Sequence, residues 1–167
     1  ADLSGANLQS ANIKFANLKE ADLSGANLRD ANLNNANLRD ANLMNTDLSD
    51  ADLSNADLYG NELIFTNLSG ADLSGANLGA VDLNGADLRE AKLSGADLKT
   101  AILSKANLRD ANLRDAKITT ANLVFAKLQG ADLSDANLTG AQMFGAKLQG
   151  SNLRNANLSN VNLGNAN

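Results

Sequence analysis

Residues 21–30 read Ala21-Asp22-Leu23-Ser24-Gly25-Ala26-Asn27-Leu28-Arg29-Asp30, two copies of one five-residue pattern. Followed outward in both directions, the frame never slips. All 33 positions from 3, 8 and 13 to 163 are apolar, 30 of them Leu and the others Ile13, Ile118 and Met143. Two residues before each, Ala fills 28 of 34 places, the exceptions being Thr46, Asn61, Thr66, Val81, Ser151 and Val161. Asn or Asp stands between them in 27 of 34 units. The fifth position is Gly, Asn or Asp in 23 of 33 units, the residues that most readily take the left-handed backbone of a tight turn.

A period of five fits neither the 3.6 of a helix nor the unbroken alternation of a long strand. It fits a short extended segment, which sets the small residue and the Leu on one side, followed by a corner. The pattern therefore predicts a solenoid with Ala and Leu inside. Asn and Asp face outward, where they hydrogen-bond turn backbone or the equivalent residue one coil away. Burial of the Leu column, at about 1.5–3 kcal/mol per residue, is the main force against chain entropy. Period five alone admits three, four or five sides per coil.

Units such as Ala21-Asp22-Leu23-Ser24-Gly25 and Ala106-Asn107-Leu108-Arg109-Asp110 resemble the pentapeptide repeat family, and the resemblance covers residues 1–167 as a single solenoid domain with no recognisable cap. It implies an all-β fold, a right-handed quadrilateral β-helix with four pentapeptides per coil and about eight coils. For some members it also implies mimicry of duplex DNA and binding to a type II topoisomerase such as DNA gyrase, or end-to-end dimers.

Composition narrows the chemistry. The chain has no Cys and no His, so disulfides, thiolate or imidazole metal ligands, Cys or His nucleophile chemistry and an imidazole pH switch are excluded. Ten Ser stand at the fourth position of the unit with no His to activate them, so neither catalysis nor a cofactor is expected. A net charge of −5 argues against direct nucleic-acid binding, which needs a basic surface to displace counterions. No apolar run approaches the roughly 20 residues that span a bilayer. The opening at Ala1 fits a processed or trimmed chain, soluble, and either cytoplasmic or exported after loss of a signal.

With the interior fixed by packing, function is expected where the outer face departs from the pattern. Nine outward positions carry apolar residues, and with four sides seven of them share one face: Met44, Ile64, Phe65, Ile102, Val124, Phe125 and Phe144, but not Phe15 or Tyr59. Clustered exposed apolar residues mark interaction sites, so this stripe is the candidate surface for an unidentified protein partner. The competing reading is that its side chains only cover neighbouring backbone. Asn61 replaces an inward Ala, and a buried Asn needs partners, which predicts a local bulge or widened coil.

Charge is also segregated. Between Arg39 and Arg89 there is no basic residue, while nine acids, among them Asp47, Asp50, Asp52, Asp57, Glu62, Asp72 and Asp82, form a belt. Such a field steers a basic partner. It is the only stretch of phosphate-like density, because Arg29, Lys92, Arg114 and Lys127 interrupt the acidic columns elsewhere. The rival reading as a topoisomerase-binding DNA mimic therefore fits poorly. Asp2 with Asp22, Asp52 with Asp72, Glu62 with Asp82 and Asp115 with Asp135 are expected to stack about 4.8 Å apart, which raises a carboxyl pKa or attracts a cation. Two carboxylates are too few for a calcium site, so no metal is expected. After Arg154 the chain is uncharged and Asn-rich, and lacks the charges that guard a sheet edge. That predicts an end-to-end homodimer through the last coil.

Overall fold

Parallel bridges join residues twenty apart, from Asp2 with Asp22 to Gln142 with Asn162, in a computed structural model that describes residues 1–167. Twenty residues are four pentapeptides, so the chain takes four sides per coil. In each unit the second residue forms the bridge and the fourth and fifth make the corner. All 33 fifth positions have positive φ, between 54° and 72°. Eleven are Gly; the others include Phe15, Phe65, Phe125, Thr100 and Thr120, for which this conformation costs about 1–2 kcal/mol each.

Three backbone bonds per unit lace one coil to the next, and a fourth closes the corner. Leu23 N–H donates to Asn42 O at 2.8 Å, Gly25 N–H to Met44 O at 2.8 Å, Asn27 N–H to Ala6 O at 2.9 Å, and Ala26 N–H to Leu23 O at 3.0 Å. All 117 backbone hydrogen bonds belong to this scheme. The column of Asn and Asp holds the corners from outside, because each side-chain oxygen reaches the N–H two residues on. Ser24 N–H donates to Asp22 Oδ1 at 2.9 Å, and Asn42 Nδ2 reaches the same oxygen from the next coil at 3.1 Å. This is the role the sequence predicts for that column.

The interior is one cluster of 47 buried apolar residues between Leu23 and Ala146, almost all Ala and Leu. Cover falls off toward both ends, where Leu3, Leu8, Ile13 and Leu18, and again Leu148 and Leu153, are partly buried. Leu158 and Leu163 are exposed. No helix of the chain is long and apolar enough to cross a membrane.

Candidate protein-interaction surface

The apolar stripe lies on the face built from units 41–45, 61–65, 101–105, 121–125 and 141–145. Met44, Ile64, Phe65, Ile102, Phe125 and Phe144 are exposed, Phe65 the most at 77%, and Val124 is half-buried. The rings have a second job. Tyr59, Phe65, Phe125 and Phe144 each lie against a glycine twenty residues on, at Gly79, Gly85, Gly145 and Gly164, where a Cβ would meet the ring. Phe125 and Phe144 also touch edge to face, with ring centres 5.8 Å apart at 81°. An aromatic over a bare backbone shields apolar area that glycine leaves open. Part of the stripe is thus architectural, and its outer surface is still open to solvent. This aromatic-to-glycine pairing escapes a reading by fives and becomes visible once the register of twenty is known.

The acidic belt winds round all four faces. Asp47, Asp52, Asp57, Asp72 and Asp82 spend one oxygen each on the N–H of Ser49, Ser54, Tyr59, Ser74 and Asn84. Ion pairs reach into the belt from both sides: Arg29 to Asp50 at 3.6 Å, Arg39 to Asp57 at 3.2 Å and Lys92 to Asp72 at 3.5 Å. Arg39 also stacks on Tyr59, 4.6 Å from the ring centre. Glu62 is exposed and takes part in none of the molecule's ion pairs.

At Asp2, Asp22 and Asp72 stacking does not raise the carboxyl pKa. Asp2 and Asp22 bridge one above the other, yet both carboxyls are held below the ordinary 3.8, first by side-chain hydrogen bonds from Ser4 and Ser24. At Asp72, burial raises the pKa, but bonds from Ser74 and the Lys92 ammonium outweigh it and the net shift is downward. Donors two residues on outweigh like-charge repulsion because they bind the charged form directly, whereas the repulsion is screened by water. No group of three or more acidic side chains is placed to hold a metal ion.

The ladder fails at one place. Five bonds that the scheme calls for are missing: Asp40 N–H to Tyr59 O, Leu43 N–H to Glu62 O, Asn45 N–H to Ile64 O, Glu62 N–H to Ala41 O and Asn67 N–H to Thr46 O. The bridge between Asn42 and Glu62 is missing with them. A cleft of about 420 Å³ opens there, lined by Asp40, Ala41, Asn42, Met44, Gly60, Asn61 and Glu62.

The cause is the inward polar residue. Asn61, 2% exposed, donates from Nδ2 to Leu38 O at 2.9 Å, as Thr46 Oγ1 does to Leu23 O at 3.1 Å. The longer amide leaves Asn61 Oδ1 buried without a partner. Thr66 Oγ1, which the same spacing would direct to Leu43 O, is also buried and unpaired. The local disturbance expected at Asn61 is therefore present, as lost bonds between two coils. It extends further than the sequence suggests, from 40 to 67. The signal was in the sequence, since Thr46, Asn61 and Thr66 are three of the six inward departures from Ala.

The Pentapeptide repeats family profile matches in eight copies, over segments that begin with 1–25, 21–60 and 66–104 and end with 136–167. The chain belongs to the pentapeptide repeat family. Residues 61–65, the unit that parts the ladder, fall between the second and third matched segments. Among solved structures, this pentapeptide repeat protein is similar to HetL, a pentapeptide repeat protein involved in heterocyst differentiation regulation from the cyanobacterium Nostoc sp. strain PCC 7120. Identity is 34% over 99% of this chain and 86% of that one, with a TM-score of 0.47. It is similar also to QnrB1, a plasmid-mediated fluoroquinolone resistance protein, at 19% identity over 99% and 84% of the two chains, with a TM-score of 0.62. A third is a pentapeptide repeat protein of the Arabidopsis thaliana thylakoid lumen, 35% identical over 59% of this chain and 66% of that one, TM-score 0.39. No curated protein sequence matches significantly. Pentapeptide repeat proteins form right-handed quadrilateral β-helices and are generally non-enzymatic structural or interaction proteins.

Proposed function

We propose that this pentapeptide repeat protein is a noncatalytic interaction module whose protein partner is read by the stripe from Met44 to Phe144 together with the acidic belt. One observation carries the reading. Six apolar side chains on a single face of a regular rod stay exposed, although the fold has an inward column for every apolar residue it needs. Rings seated over glycine account for where Phe65 and Phe125 stand, but not for why Met44, Ile64 and Ile102 share their face. The topoisomerase-directed reading has less support, because Arg29, Arg39 and Lys92 pair with belt carboxylates and break up any phosphate-like column.

Light scattering coupled to size exclusion over a concentration series, on the wild type and on Phe125→Ser/Phe144→Ser, tests the reading. A wild-type dimer that the variant loses makes the stripe a self-association face. A dimer that the variant keeps supports the end-to-end contact proposed for the Asn-rich last coil. If both chains are monomers, crosslinking from the stripe to a protein partner, lost in the variant, is the expected result. A wild type and variant with the same partners contradict the proposal.

A further inference from the structure

The parted seam has the makings of a binding site, and it holds groups that the rest of the solenoid pairs. On its acceptor side are Asn61 Oδ1, buried and unbonded, Ala41 O, which has lost the Glu62 amide, and the carboxylates of Asp40 and Glu62 among the lining residues. On its donor side are the unpaired amides of Leu43, Asn45 and Glu62. Met44 lines the cleft, and the exposed Ile64 and Phe65 belong to its upper coil. Two basic side chains are near. Lys19 stands 4.0 Å from Asp40 on the coil below, and Arg39 is engaged by Asp57 and Tyr59. Glu62 has no cationic partner.

We propose that this seam receives an extended basic segment of a partner protein, with a Lys or Arg side chain in the cleft. The cationic head pairs with the exposed Asp40 and Glu62 carboxylates, and its aliphatic stem lies on Met44. Carbonyls of the segment's backbone take the free amides, as in strand addition at a sheet edge. The acidic belt supplies the steering field. The inference rests on the reading of the protein as an interaction module and names the chemistry of one partner contact.

Asn61→Ala separates this site from general attraction to the belt, because it restores the consensus inward residue and leaves every charge in place. Binding is read by fluorescence anisotropy with fluorescein-labelled peptides of alternating glycine with arginine, with lysine and with glutamine. The arginine or lysine peptide is expected to bind the wild type, and the glutamine peptide to fail. Affinity is expected to fall by about tenfold or more in Asn61→Ala and in Asp40→Asn/Glu62→Gln. Hydrogen exchange on the same samples is expected to show the Leu43 and Glu62 amides fast in the wild type and slow in Asn61→Ala. Equal binding to the wild type and Asn61→Ala, or no binding of either basic peptide, overturns the proposal. The stripe experiment uses Phe125 and Phe144, outside this cleft, so either idea can fail alone.

Discussion

On one face of the solenoid, the rungs that would join 41–45 to 61–65 are missing, while those joining 61–65 to 81–85, one coil further, are fully laced. Leu63 N–H reaches Asp82 O at 2.7 Å, Phe65 N–H reaches Asn84 O at 3.0 Å and Asp82 N–H reaches Asn61 O at 2.9 Å. Both seams have Leu behind them, fully buried on each side. What differs is the inward first residue of the upper coil, Asn61 in the open seam and Val81 in the closed one. The ladder tolerates Val81 and, on the next face, Thr46 in its seam with the coil below, where Asp47 N–H reaches Ala26 O at 3.1 Å, and both are larger than Ala. It does not tolerate an amide that reaches back to a carbonyl of the coil below. Continuity of the ladder is therefore decided from inside, by polarity and reach more than by volume.

Placing the open seam's cause in the closed one is the severest test. Val81→Asn buries an amide in place of a well-packed side chain, and a loss of about 3 kcal/mol is expected in chemical unfolding. The Leu63 and Asp82 amides should then exchange quickly. If the 61–65 to 81–85 rungs stay protected, the cause assigned to Asn61 is wrong. The reverse change, Asn61→Ala, removes a buried unpaired oxygen and should stabilise the protein by about 1–2 kcal/mol, read as a higher denaturant midpoint. A destabilised Asn61→Ala would mean that the Asn61 bond to Leu38 O outweighs the five it displaces.

Corners away from the seam sharpen the comparison. Gly145 has φ +66° and lies under the Phe125 ring, so Gly145→Ala meets both backbone strain and the ring. A cost of about 1–2 kcal/mol is expected. Adding Phe125→Ala should return only the part due to the ring. A fully additive double variant would show that ring and glycine are independent.

Acid has the smallest effect. Asp87 is held low first by the Arg89 side chain, Asp132 first by Ser134, and at Asp72 the Ser74 and Lys92 contacts prevail over burial. A carboxyl whose folded pKa lies below its unfolded value contributes stability that is complete above the unfolded value and lost as the pH falls through the folded one. Stability should thus hold as the pH drops from neutral and decline below the ordinary 3.8 of these groups. With no His in the chain, no step is expected between about pH 5 and 8. A thermal melt series over pH checks this, and a midpoint that falls near pH 6 would contradict it.

Most of the architecture was legible because a fixed period ties each residue to one environment. The third position is inward at Leu23 as at Met143, and the fifth is left-handed at Gly25 as at Phe65. The number of sides was not legible in the fives, since nothing local distinguishes a square coil from a triangular one. Nor was the extent of the seam. Asn61 announced a disturbance, but the orphaned Thr66 hydroxyl and the lost Leu43, Asn45 and Asn67 bonds depend on which carbonyl a side chain reaches across a coil. The stacked pair Asp2 and Asp22 misled for a similar reason, because Ser4 and Ser24 donate within their own turns and lower both carboxyl pKa values.

Amide hydrogen exchange, resolved residue by residue on the wild-type chain, tests the central claim most directly. The account predicts fast exchange at Asp40, Leu43, Asn45, Glu62 and Asn67, and slow exchange at Gly60, Leu63, Phe65, Asp82 and Asp87, their counterparts one coil on. Equal protection in the two sets would contradict it, because the seam would then be laced like every other.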